Sequence, residues 1–199
     1  MMKKRLCLAL LGGLVAGTQL TACVPLVAGA AVGGAALVAS DRRTSGAYVD
    51  DQGIEVKLLS QLSSRYPAAH ININSYNRAV LITGEVPDEA SRSQVELTVR
   101  AIPNVRKVYN YTTLEPASPL SQRNNDTWIT TKVRARLIDG KNIPSQTVKV
   151  VTERGVTYLL GLVTEAEGQA VVDIVRSTSG VQKVVPLFET LQSVPSAAS

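Results

Sequence analysis

Few side chains in this sequence are of the types that catalysis or metal binding requires. The 199 residues include one histidine, His70, and two cysteines, Cys7 and Cys23. Metal sites and activated nucleophiles are built largely from these residue types. The sequence therefore predicts no metal, no cofactor and no thiol or Ser-His active site. His70 enters a strand, in Ala-Ala-His-Ile-Asn-Ile, and is interpreted as a surface or edge residue.

Acidic residues occur in pairs at three places: Asp50-Asp51, Asp88-Glu89 and Glu165/Glu167. Two neighbouring carboxyl groups could act as a general acid and a general base. The second and third pairs lie where helices are expected to begin, and negative charge at that end stabilises a helix dipole. We therefore prefer the structural interpretation and expect that the protein is not an enzyme.

The first 22 residues have the three regions of an export signal. Positive charge from Lys3 to Arg5 precedes an apolar run from Leu6 to Val15, and Leu20-Thr21-Ala22-Cys23 follows. These last four residues resemble the bacterial lipobox, whose cysteine takes a diacylglyceryl group before cleavage makes it the N-terminus. The sequence predicts a signal peptide at 1–22 and lipidation at Cys23. An uncleaved anchor is the alternative, but the apolar run is shorter than the ~20 residues that span a bilayer.

Charge is nearly balanced once the leader is removed. The formal charge is +5, of which three positive charges lie in the leader. Residues 47–115 carry seven positive and eight negative side chains, and residues 124–191 carry eight and seven. Neither half has the clustered basic face that nucleic-acid binding requires, so no nucleic-acid partner is expected.

Three landmarks occur twice in the same order, ~76 positions apart, which indicates an internal duplication. Ile54 to Leu62 matches Ile129 to Leu137, Val80 to Val86 matches Thr157 to Val163, and Asn104 to Val108 matches Gly180 to Val184. The predicted organisation is a signal peptide at 1–22, a lipidated Gly/Ala-rich tether at 23–46, a first domain at 47–115, a linker at 116–124, a second domain at 125–193 and a flexible tail at 194–199.

Each copy has the pattern helix, strand, strand, helix, strand. Ile129, Val133 and Leu137 recur at helical spacing, and the segments beside the turn Glu153-Arg154-Gly155 are rich in strand formers. Thr164 and Glu167 form a capping-box pattern, and Pro87-Asp88-Glu89 opens the equivalent helix of the first copy. The predicted fold class is α+β: two tandem αββαβ domains, each a three-stranded mixed sheet with two helices on one face.

A lipoprotein leader followed by two such units resembles the family of dual-BON-domain outer-membrane lipoproteins. The residues that carry the resemblance are Val49-Asp50-Asp51, Ile71-Asn72-Ile73, Asn124 to Arg134, Gly161 to Glu165, and Ser179-Gly180-Val181. The resemblance implies a lipid-anchored protein on the periplasmic face of the outer membrane. Val24 agrees with that location, because it is not the aspartate of an inner-membrane retention signal.

The only tryptophan, Trp128, is expected to open the first helix of the second copy, after a cap at Asp126 or Asn125. At ~100° per residue, Trp128, Thr131, Ala135 and Ile138 project away from the side that faces the sheet. Lys132 and Arg134 flank this stripe, and Arg136 lies nearer the core. Apolar atoms, an indole and cations together are typical of a membrane interface.

The resemblance implies that this helix binds anionic phospholipid of the phosphatidylglycerol type, and that the protein supports outer-membrane integrity. The predicted phospholipid-binding residues are Trp128, Thr131, Lys132, Arg134, Ala135, Arg136 and Ile138. Alternatively, Trp128 fills a groove between the domains or covers its own core. A protein-interaction module that docks on the outer-membrane protein assembly machinery, or on a second copy, is the other function considered.

Overall fold

The computed structural model of the chain describes residues 41–140 and 143–192. The predicted leader, Cys23 and the tail at 194–199 lie outside these ranges. From Asp41 onward the chain forms one compact unit. A fragment that begins at Asp41 therefore contains both repeats. None of the helices in the described ranges has the length and apolar character needed to cross a membrane.

The first repeat folds in the predicted order, with its third strand interrupted. Its elements are α1 (Ser45–Arg65), β1 (His70–Tyr76), β2 (Ala79–Val86), α2 (Glu89–Arg100), β3 (Lys107–Asn110) and β4 (Thr113–Leu114). β1 pairs antiparallel with β2, and both β3 and β4 pair parallel with β2. Tyr111 and Thr112 separate the two short strands.

The second repeat has the same order. Its elements are α3 (Leu120–Asp139), a short 3₁₀ helix (Ser145–Thr147), β5 (Val148–Glu153), β6 (Val156–Val163), α4 (Glu165–Arg176) and β7 (Lys183–Thr190). β6 is central, antiparallel to β5 and parallel to β7. Pro186 lies in the edge strand β7, as its missing N–H predicts. The α+β fold with two mixed sheets is confirmed.

Each domain packs its helices on one face of its sheet. In the first domain Ile54, Leu58 and Leu62 of α1 meet Val80 and Ile82 of β2. In the second, Ile129, Val133 and Leu137 of α3 meet Leu159 of β6 in the same way. The helical spacing of these apolar residues therefore identifies the buried side of each helix correctly.

The opposite faces of the two sheets share a third apolar cluster, which joins the domains. Tyr76 and Leu81 of the first sheet belong to this cluster together with Tyr158, Leu160 and Leu162 of β6. β2 and β6 are thus apolar on both faces, which is why they read as continuous apolar runs. The layers are helices, sheet, sheet, helices, and the buried tyrosine hydroxyl of Tyr76 donates to the Thr147 carbonyl at 2.8 Å.

Polar contacts at this interface include His70, which was predicted to be a surface or edge residue: it lies in an edge strand, but it is not at the surface. β1 is an edge strand, but the His70 ring is mostly buried, with Nδ1 3.0 Å from Glu85 Oε2. Glu153 of the second domain lies 3.8 Å from the same nitrogen, and Asn72 donates to Glu153 at 2.7 Å. Burial raises the pKa of Glu153. Packing of the two domains brings together carboxylates that are far apart in the sequence.

Two predicted helix starts are confirmed and one is wrong. Asp88 caps α2, and Thr164 with Glu167 forms a capping box on α4. α3, however, begins at Leu120 after Pro119, inside the predicted linker at 116–124, and not after Asn125 or Asp126. Asp126 lies two turns inside the helix and is buried. Its carboxylate accepts hydrogen bonds from the hairpin turn of its own domain instead of capping the helix.

Candidate functional site

The helix α3 holds the predicted binding residues on a rigid support. Ile129, Val133 and Leu137 are buried against the sheet and fix the rotation of the helix. Asp126 adds a polar anchor, because it accepts from the N–H groups of Arg154 and Gly155 at 2.9 and 2.8 Å. The side of α3 that faces solvent is therefore set by contacts on the opposite side.

Four predicted residues form one exposed stripe, which we call the α3 outer face: Trp128, Thr131, Ala135 and Ile138. All four are exposed, Trp128 by 61% and Ile138 by 71%. Trp128 thus neither fills a groove between the domains nor covers its own core, and that alternative is wrong. Two large apolar side chains are therefore exposed on one face of α3.

The three predicted cations are positioned by neutral acceptors. Lys132 Nζ donates to the Ser179 carbonyl at 2.6 Å, and an Arg134 nitrogen lies 3.3 Å from the Val150 carbonyl. Arg136 donates to Thr178 Oγ1 at 3.0 Å and to the Ile174 carbonyl at 3.3 Å.

Arg136 therefore meets the carboxyl end of α4, where the helix dipole favours positive charge. Within residues 41–140 and 143–192, no carboxylate lies within 4.0 Å of these three cations. Their positive charge is held in place without being neutralised by an ion pair.

The equivalent helix of the first domain has no large side chain at the position of Trp128. Gly53 of α1 corresponds to Trp128, and a Cβ there would meet nothing within 4 Å. Sequence reasoning missed one feature of α1, since Val49, Val56 and Leu59 are exposed by 61–68%. Val49 and Val56 are seven residues apart, a spacing that could have indicated a shared helix face.

Comparison with known proteins agrees with the repeat. The model of the BON domain matches residues 50–116 and 125–192. The outer membrane lipoprotein DolP of Haemophilus influenzae is 34% identical over 177 residues, covering 86% of this chain and 90% of that protein.

Two further relatives are more distant. The 21 kDa hemolysin of Actinobacillus pleuropneumoniae is 28% identical and covers 76% of this chain and 80% of its own length. The osmotically-inducible protein Y of Escherichia coli is 25% identical, with 74% and 76% covered. The family match and the identity to DolP show that the chain belongs to the BON-domain family, as a DolP-like protein with two BON domains.

Proposed function

We propose that this chain is a binding protein, not an enzyme, anchored through Cys23 to the periplasmic face of the outer membrane. Its second BON domain binds anionic phospholipid of the phosphatidylglycerol type through the α3 outer face, and this binding supports outer-membrane integrity. The leader and the name of the relative that is 34% identical, an outer membrane lipoprotein, support the location.

One observation carries the proposal: exposed Trp128 and Ile138 lie on a fixed helix beside three cations that have no carboxylate partner among the described residues. An indole prefers the depth of lipid head groups, and amines or guanidinium groups there meet phosphate. A basic residue near an anionic bilayer contributes about 1 kcal/mol to binding, which is about five-fold in affinity.

The lipid on Cys23 would be a second attachment to the membrane, so that a weak affinity of the α3 outer face is sufficient for stable contact. A diacylglyceryl group on Cys23 would keep the α3 outer face close to the membrane, so that binding becomes effectively intramolecular. Weak affinity measured for a soluble fragment is therefore compatible with stable contact in the anchored protein.

Cosedimentation with vesicles tests the proposal, using the fragment 41–199, which lacks the lipid anchor. Binding is expected to vesicles that contain phosphatidylglycerol and not to vesicles of phosphatidylcholine alone. Lys132→Gln should weaken binding about five-fold. The matched control is Lys57→Gln, because Lys57 is exposed at the equivalent position of α1. Binding that is equally weakened by both changes, or absent from all anionic vesicles, contradicts the proposal.

A protein-interaction module is the second candidate, and the exposed Val49, Val56 and Leu59 of α1 favour it. An apolar helix face without a partner in the described residues could dock on the outer-membrane protein assembly machinery or on a second copy. Sedimentation velocity of fragment 41–199 tests self-association. Dimers that are lost in Val56→Ser and kept in Trp128→Ser would support it, and a monomer at all concentrations would exclude the second copy as partner.

A further inference from the structure

A groove runs between the carboxyl-terminal half of α3 and the first turns of α1. Its volume is about 370 Å³, within the roughly 300–1,000 Å³ of small-molecule sites. Arg134 and Ile138 of α3 form one wall, and Tyr48 and Gln52 of α1 form the other. Gln146 of the 3₁₀ helix and Lys149 at the start of β5 also line the groove. Both domains contribute to the groove.

Among the described residues that line the groove, the charged side chains are all positive, namely Arg43, Arg134 and Lys149. Arg43 is paired with Asp41 and, at 2.8 Å, with Asp51, and Lys149 is paired with Glu55; these carboxylates are not part of the lining, but they compensate the charges of Arg43 and Lys149. Arg134 has no carboxylate within 4.0 Å among the residues described. Arg134 is therefore the lining cation that can pair with an anionic ligand without first breaking an ion pair among the described residues.

A neighbouring cleft differs from the groove in the charge of its lining residues. That cleft, of about 340 Å³, lies on the other side of Arg134 and is lined by Glu153 and Asp126 as well as by arginines. An anion in the cleft would lie near two buried carboxylates. An anion that binds Arg134 is therefore expected in the groove and not in the cleft.

Several neutral donors in the groove have no hydrogen-bond partner among the residues that the structure describes. Tyr48, Gln52 and Gln146 make no side-chain hydrogen bond in the described ranges, although the Arg43 guanidinium stacks 4.9 Å from the Tyr48 ring. A phenol and two amides beside a cation can bind the hydroxyl groups of a polar head group. The apolar end of the groove is formed by Ile138, which also belongs to the α3 outer face.

We propose that this groove is the head-group site for one anionic phospholipid, with the phosphate at Arg134 and the hydroxyl-bearing end among Tyr48, Gln52 and Gln146. The inference rests on the proposed function and deepens it, because it gives the first BON domain a direct part in lipid selection. The acyl chains leave the groove past Ile138 toward the bilayer that the α3 outer face contacts.

Calorimetric titration of fragment 41–199 with dihexanoyl phosphatidylglycerol, below its micelle concentration, tests the site. Gln52→Glu places a carboxylate on the wall of the groove and should weaken binding at least ten-fold. Gln61→Glu is the matched control, since it makes the same change at another exposed position of α1 and should alter binding less than two-fold. Both residues are exposed, so thermal melting should be the same for both variants.

Equal affinity of Gln52→Glu and the unchanged fragment would overturn the inference. The proposed function has a separate readout, since vesicle binding would then still be lost in Trp128→Ala. Absence of vesicle binding in the unchanged fragment would overturn both. Tighter binding of dihexanoyl phosphatidylcholine than of the glycerol lipid would also contradict a site selected by charge.

Discussion

Asp51 and Asp126 occupy equivalent positions in the two repeats and make the same contact. The Asp51 carboxylate accepts from the N–H groups of Asn77 and Arg78, each at 2.7 Å, and Asp126 accepts likewise from Arg154 and Gly155. All four donors lie in hairpin turns with positive φ. A buried carboxylate on the first helix thus fixes the turn between the first two strands of each domain.

Asp126→Ala should lower the free energy of unfolding by about 2–4 kcal/mol, because one buried and one half-buried N–H group lose a charged acceptor. Urea denaturation of fragment 41–199 measures this loss. Asp139→Ala is the control, since Asp139 is exposed at the end of the same helix and should change stability by less than about 0.5 kcal/mol. A loss below 1 kcal/mol for Asp126→Ala would contradict the assigned role.

Replacing Gly84 or Gly53 by alanine should change the stability of the protein in opposite directions. Gly84 has φ of +104°, and a Cβ there would lie 1.9 Å from the His70 carbonyl oxygen of the paired strand. Gly84→Ala should therefore destabilise the protein by at least ~2 kcal/mol. Gly53→Ala should stabilise it by about 0.5–1 kcal/mol, because Gly53 is exposed within α1. Thermal melting should show a lower melting temperature for Gly84→Ala and a higher one for Gly53→Ala. A change in the same direction for both variants would contradict the backbone geometry.

Acid should weaken the contact between the amino-terminal segment and α4. The side-chain hydrogen bond from Arg42, at 2.7 Å, lowers the pKa of Glu167 to about 2 from 4.5. A carboxyl whose folded pKa is lowered contributes stability above its unfolded pKa and loses it as pH falls, here between about 4.5 and 2. Glu167→Gln should show a flatter decline of stability over this range in melting curves taken at successive pH values. An identical decline in both proteins would contradict the contact.

At Glu153, by contrast, stability should fall as the pH rises. Burial raises its pKa, so the stability that its protonated form contributes is present at low pH and is lost as pH rises through the folded pKa. Glu153→Gln keeps an oxygen that accepts from Asn72 but cannot lose a proton. The variant should therefore not lose stability as the pH rises above the range in which an ordinary carboxyl group titrates. Denaturation midpoints at successive pH values measure it, and a decline that persists in the variant would assign the effect to another group.

The sequence predicted the elements well because apolar spacing determines them. Ile129, Val133 and Leu137 identify the buried side of α3, and Thr164 with Glu167 identifies the start of α4. The exposure of Trp128 and Ile138 followed from the same spacing. Local patterns of this kind are visible in a single segment of the chain.

Contacts between distant segments could not be predicted in the same way. Asp126 has the side chain of a helix cap, and only the position of the hairpin turn shows why it is buried inside α3. His70 lies between Glu85 and Glu153, which reach it through strand pairing and domain packing. The groove at Arg134 depends on how α1 and α3 are placed by the joined sheets.

Fluorescence of Trp128 tests the central claim most directly, because it is the only tryptophan in the sequence. Titration of fragment 41–199 with phosphatidylglycerol vesicles should shift its emission to shorter wavelength, and brominated acyl chains should quench it. Phosphatidylcholine vesicles should do neither. Unchanged emission and no quenching with the anionic vesicles, under conditions where the fragment is folded, would contradict the account.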